Sequence, residues 1–130
     1  MKKIEKYGKS IYINKYIPTK SFIALAFFNV IFWREEYDHY LNLERYDNYV
    51  QKVIRHENIH VAQMKDFCKW LPLGAILFYL VYVFEWFINL FKYGFNITAY
   101  HNISFEKEAK KYENTLLYLD YRKKFANYKL

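Results

Sequence analysis

The run RHENIHVAQ at residues 55–63 places His56 and His60 four apart, with Glu57 directly after the first histidine. On a helix, side chains at i and i+4 project from one face, so both imidazoles can hold one Zn²⁺ through ring nitrogens. Neutral imidazoles leave such an ion electrophilic. Glu57 lies about 100° around the helix from His56, beside the ion and not on it. A carboxylate there can take a proton from activated water, the general-base half of metal-assisted hydrolysis. A chain of this composition yields HExxH by chance about 0.006 times. Helix placement and a third ligand must therefore carry the reading against its rival, a solvent-facing helix with idle histidines.

Candidates for that third ligand stand downstream in YHNISFEKEAK, residues 100–110: Glu106, Glu108 and His101. Together, HENIH and SFEKEA resemble the gluzincin branch of zinc metallopeptidases. In that branch HExxH is completed by a glutamate from a following helix, in motifs such as E-x-E-A. The resemblance implies Glu106 as the ligand, with Glu108 and Ala109 completing the match, and leaves Glu108 and His101 as alternatives. It extends to small bacterial proteins with HExxHxxQ followed by S-F-E-x-E-A, and covers about 50 residues from Val53 to Lys110. Many gluzincins carry an aspartate four residues after the third ligand, supporting a metal-bound histidine. Here that position is Lys110, so the supporting carboxylate either comes from elsewhere, Glu108 being one source, or is missing. Cys68, about 12 Å along the helix from His60, cannot share the ion and reads as a small core residue. His39 and, if not a ligand, His101 read as exposed loop histidines.

The elements that must position these residues follow from the hydrophobic period. Ile11–Ile17 alternates, and SFIALAFF followed by VIFWR reads as two strands joined near Asn29. Residues 35–47 are polar enough for a loop or a short irregular stretch. From about Asn48 the period becomes helical up to Trp70, with Asp47 or Asn48 as N-cap. A second helix is expected from about Leu73 to Tyr93, with Gly94 near its C-cap. A third is expected from Ser104, its cap, to Phe125. The fold class is thus α+β: one domain over residues 1–130, with a small N-terminal antiparallel sheet packed on three helices. The resemblance implies a minimal zincin-like version of it.

Residues 71–93, LPLGAILFYLVYVFEWFINLFKY, are long and apolar enough to suggest a membrane span. Glu85, Asn89 and Lys92 form a narrow polar stripe on an otherwise apolar helix. One crossing would put His56 and His60 on one side of a bilayer and Glu106 on the other. Either the segment spans and the metal site is false, or the site is real and the segment lies against other helices, in one leaflet or in an oligomer interface. A helix of that length, returning antiparallel to the first, brings Glu106 back to His60.

The net charge of +7 and pI near 9.3 fit acidic lipid better than nucleic acid, because no nucleic-acid module accompanies the dispersed lysines. Aromatics at 23% fit either a membrane-facing surface or AT-rich codons, and decide nothing. A single cysteine excludes an internal disulfide, and the lysine-rich start lacks the apolar run of a secretory signal.

The expected function is a zinc-dependent metallopeptidase acting on a peptide or protein, peripheral or monotopic at a membrane and on its cytoplasmic side. A homo-oligomer through the 72–92 helix is compatible with it. The alternatives are a non-enzymatic membrane protein with one span at about 72–92, and a zinc-binding zincin fold without turnover. The resemblance further implies that an edge strand within residues 22–34 aligns an extended peptide by strand addition. Tyr100 and Tyr112 are candidates for holding the developing oxyanion.

Overall fold

Two charged-to-apolar hairpins build the N-terminal layer of the computed structural model, in which residues 2–18, 22–27 and 30–126 are described. The strands β1 (Lys2–Lys6), β2 (Lys9–Asn14), β3 (Ala24–Phe27) and β4 (Val30–Arg34) form one sheet in the order β1-β2-β4-β3. Tyr7 and Gly8, both at positive φ, make the tight β1–β2 turn. β3 and β4 pair antiparallel, as the two apolar runs require, and the expected join near Asn29 lies outside the described residues. β2 and β4 run parallel, so the sheet is mixed. The second hairpin docks through β4, which leaves β3 as an edge. Ile11, Ile13, Ile31 and Trp33 alternate onto one face and pack on Leu41, Val50 and Ile54.

Residues 35–46 hold two single 3-10 turns around α1 (His39–Asn42), in keeping with a short irregular stretch. α2 (Asp47–Phe67) then runs under the sheet. No side chain caps it. Asp47 lies in its first turn instead, where it accepts from Gln51 Nε2 at 3.0 Å. α3 (Leu71–Tyr93) carries Pro72 in its first turn, where a missing N–H costs little, and ends at Gly94 with φ +89°. A Cβ on Gly74 would stand 2.5 Å from the carbonyl oxygens of Met64 and Cys68. Glycine there lets α3 fold tightly back along α2, so that Phe78 meets His60 with ring centroids 5.9 Å apart.

After α4 (Ile97–His101), capped by Asn96 accepting from Thr98 N, comes α5 (Ser104–Tyr112). The long third helix expected to Phe125 stops here, and α6 (Tyr118–Tyr121) follows after a bend. A continuous helix would carry Arg122 about 15 Å beyond Tyr112. Tertiary contacts win: Tyr118 stacks on Tyr112 at 3.8 Å, and Arg122 pairs with Asp66 on α2. Ser104 is not a cap either. Its N–H and hydroxyl both donate to Glu85 Oε1 on α3, at 2.7 and 2.6 Å, so the cap of α5 comes from a neighbouring helix.

The stripe on α3 explains itself in this packing. Glu85 and Asn89 are buried, Asn89 Nδ2 donating to Ala99 O, while Lys92 is exposed. The outward face is apolar: Leu80, Val83, Phe84, Phe87 and Phe91 are all more than half exposed. Among the described residues, α3 alone is long and apolar enough to cross a membrane.

Candidate metal centre

His56 and His60 sit on adjacent turns of α2 and turn toward the first turns of α5, where Glu106 meets them. His56 Nε2 is 3.1 Å from Glu106 Oε1, and His60 Nε2 is 3.1 Å from Glu106 Oε2. The three offer one ligand atom each within 4.8 Å of one another. A tetrahedral zinc site with bonds of about 2.0–2.1 Å has ligand atoms about 3.3–3.4 Å apart. Two imidazoles and a carboxylate within 4.8 Å are a donor set that could hold a metal ion of this kind. A bilayer crossing that put His60 and Glu106 on opposite sides is incompatible with their contact.

The far nitrogens of both rings are held. His56 Nδ1 lies 2.7 Å from Glu113 Oε2. His60 Nδ1 lies 2.8 Å from Gln63 Oε1. The orientation of Gln63 is fixed, because its Nε2 donates to Phe105 O and Glu108 Oε1 at 3.0 and 3.1 Å. Its carbonyl must therefore face His60, so His60 Nδ1 carries a proton, while Nε2 faces Glu106 and donates to it in the metal-free arrangement. Acceptors behind metal-bound histidines set tautomer and orientation in this way.

Glu108 in turn accepts from Tyr118 OH at 2.7 Å and pairs closely with Arg122. Arg122 also grips both oxygens of Asp66, at 3.0 and 2.7 Å. A buried chain thus runs from Arg122 through Glu108 and Gln63 to His60. Glu113 is itself held by Lys110 at 3.2 Å and Lys52 at 3.5 Å. Lys110, four residues after Glu106, thus helps to anchor the carboxylate behind His56.

Glu57 is buried, and its Oε2 accepts from Ala26 N of β3 at 2.8 Å. Burial raises its pKa, with the positive histidines opposing. In the metal-free arrangement burial works against charge on His56, yet the hydrogen bonds to Glu106 and Glu113 outweigh it and raise its pKa to about 10. His60 is raised for a like reason, burial being offset mainly by Glu106. Burial would push Glu106 up, but the charge of His60 and the histidine hydrogen bonds take it well below the carboxylate range. Tyr82 OH donates to Glu106 Oε2 at 2.6 Å.

Of the alternative ligands, Glu108 serves Gln63 and Arg122 and stands outside the cluster. His101 is exposed on the rim of a cleft of about 960 Å³ that also holds His56, Glu106, Lys107 and Glu113. Tyr100 lines that cleft and Tyr112 does not, being stacked on Tyr118 beside another pocket. His39 is exposed and stacks on Tyr40, while Cys68 is half-buried at the end of α2 and not a core residue. β3 is the edge strand near the site, and Ala26 already gives its N–H to Glu57 and its carbonyl to the Tyr79 hydroxyl.

Compared with known proteins, the chain matches no family model, no curated protein and no solved structure. The site therefore rests on its own chemistry. Sequence reasoning missed Glu113, Tyr82, Glu85 and Arg122 as supports of the site. The signals were faint: Glu113 falls seven residues after Glu106, two helical turns on, and Gln63 three after His60.

Proposed function

We propose that this protein is a zinc-dependent metallopeptidase seated at a membrane surface. The observation that carries it is the convergence of His56, His60 and Glu106, with each imidazole held from behind and Glu57 buried alongside. His56, His60 and Glu106 would hold the ion. Bound there, zinc would polarise a substrate carbonyl and acidify water. Glu57 is close enough to feel the charges of both histidines and Glu106, and a raised pKa suits a base that takes a proton from water and returns it to the leaving amine. The nearby β3 edge supports an extended polypeptide as substrate, whose strand would compete with Glu57 for Ala26 N–H.

Glu57→Gln tests the chemistry. It should keep zinc and lose hydrolysis of a peptide library by about 10²-fold or more. Equal turnover by both proteins would refute the role of Glu57.

The membrane part rests on the inverted polarity of α3, acidic and amide side chains inward and Phe, Leu and Val outward. Trp70 is exposed at its N-terminal end and Lys92 at its C-terminal end, positions suited to a lipid interface. The protein should float with anionic liposomes, and a triple Phe84, Phe87 and Phe91 to Ser variant should not. Flotation of both alike would remove α3 as the anchor.

A further inference from the structure

Beside the metal cleft lies a second cavity of about 570 Å³, lined by Tyr82, Val83 and Trp86 of α3 and closed by Phe22, Ile97 and Tyr100. Its walls are apolar but for the tyrosine hydroxyls and Asn96. The volume is within the range of about 300–1,000 Å³ usual for ligand pockets. Three features say what enters it. Phe22, Ile97 and Tyr100 line both this cavity and the metal cleft, so the two adjoin across these side chains. Tyr82 lies in its wall while its hydroxyl binds Glu106, which places the cavity one side chain away from the metal ligands. Val83 and Trp86 on α3, Phe95 just after it and Ile97 at the start of α4 are at the same time part of the exposed apolar surface. At its other end the cleft carries Lys107, Lys110 and Lys111. The binding surface is therefore apolar toward α3 and cationic toward α5.

Resting on the metallopeptidase reading, we propose that this cavity seats a bulky apolar side chain of the substrate next to the scissile bond. The substrate is a membrane-embedded or membrane-bound polypeptide, which reaches the metal along the lipid-facing side of α3. The specificity residues are Val83, Trp86 and Ile97, with Tyr100 and Phe22 as the shared wall. No group transfer is involved in this step. The cavity binds and orients, and the apolar end of the cleft decides which residue of a strand is presented.

The test uses binding, so that it does not depend on turnover. Hydroxamates of acetyl-glycine, acetyl-leucine and acetyl-phenylalanine are titrated into the zinc-loaded protein; Kd is read by calorimetry, and tryptophan emission is followed in wild type and in Trp86→Phe to separate Trp86 from Trp33 and Trp70. The leucine and phenylalanine compounds should bind about 10- to 100-fold more tightly than the glycine compound, as expected for burying such side chains. They should also perturb the tryptophan emission. Val83→Trp, which fills the cavity from an exposed position, should lose the discrimination, the ratio of the glycine Kd to the leucine and phenylalanine Kd values falling toward 1. Equal affinity of all three compounds for wild type, or unchanged discrimination in Val83→Trp, would overturn the proposal. Failure of the zinc-loaded protein to bind even the glycine compound would overturn the metal-site reading beneath it.

Discussion

Replacing Gln63 by leucine removes one buried amide while approximately keeping its volume, and the structure specifies what is lost. Gln63 is fully buried, and its Oε1 is the acceptor for His60 Nδ1. Glu108 keeps Arg122 and Tyr118 when the amide goes, so the orphaned group is the His60 Nδ1–H. Leaving such a donor unpaired costs about 1–3 kcal/mol of stability. It also frees the ring to take the other tautomer or to turn. Loss of a group behind a metal-bound histidine lowers metal affinity about 10- to 100-fold, which is about 1.4–2.7 kcal/mol.

Gln63→Glu provides the contrast. It restores an acceptor for His60 but sets a second carboxylate against Glu108, so zinc affinity should stay near wild type while stability falls. Competition against a chromogenic chelator measures the first quantity and denaturant unfolding the second. If Gln63→Leu binds zinc as tightly as wild type, the chain from Arg122 to His60 does not orient the ligand and the reasoning fails.

Glu85→Leu should destabilise the fold by about 1–3 kcal/mol, because the N-terminus of α5 loses its acceptor and Ser104 N–H is stranded. Glu85→Gln, which keeps an oxygen there, should stay within about 1 kcal/mol; urea unfolding compares them, and equal loss in both would discount the cap. The metal-free protein should lose thermal stability as pH rises. His56 titrates near 10 when folded against 6.5 when unfolded, so its stabilising proton is fully present below about 6.5 and gone above about 10. Glu106 acts in the opposite sense, its contribution being lost as pH falls below the ordinary 4.5. Melting of chelator-treated protein from pH 5 to 10 should show a falling Tm that added zinc abolishes. A Tm that holds level across that range would contradict the ion-paired apo site.

The sequence carried the residues that cluster and the long elements because their signals are local. His56, Glu57 and His60 share one helical turn and its neighbour, and Glu106 opens a helix of its own. The α3 stripe of Glu85 and Asn89 was visible as a pattern, but its inward direction depends on Ser104 and Ala99, which lie 10 to 19 residues away. Glu113 and Arg122 were illegible for the same reason, since their partners on α2 are 57 and 56 residues distant, respectively. The break after Tyr112 is a tertiary override of a helical pattern, made by Tyr118 and Arg122 folding back. β1 gave no apolar alternation, its sequence being KKIEK, and forms because β2 offers a paired edge.

Zinc content together with X-ray absorption at the zinc edge, for wild type and Glu106→Ala, tests the central claim most directly. Wild type should hold one zinc per chain with two imidazole nitrogens and a carboxylate oxygen around it, and the variant should lose bound zinc. Undiminished zinc in Glu106→Ala, or a wild-type ion without two imidazoles, would contradict it.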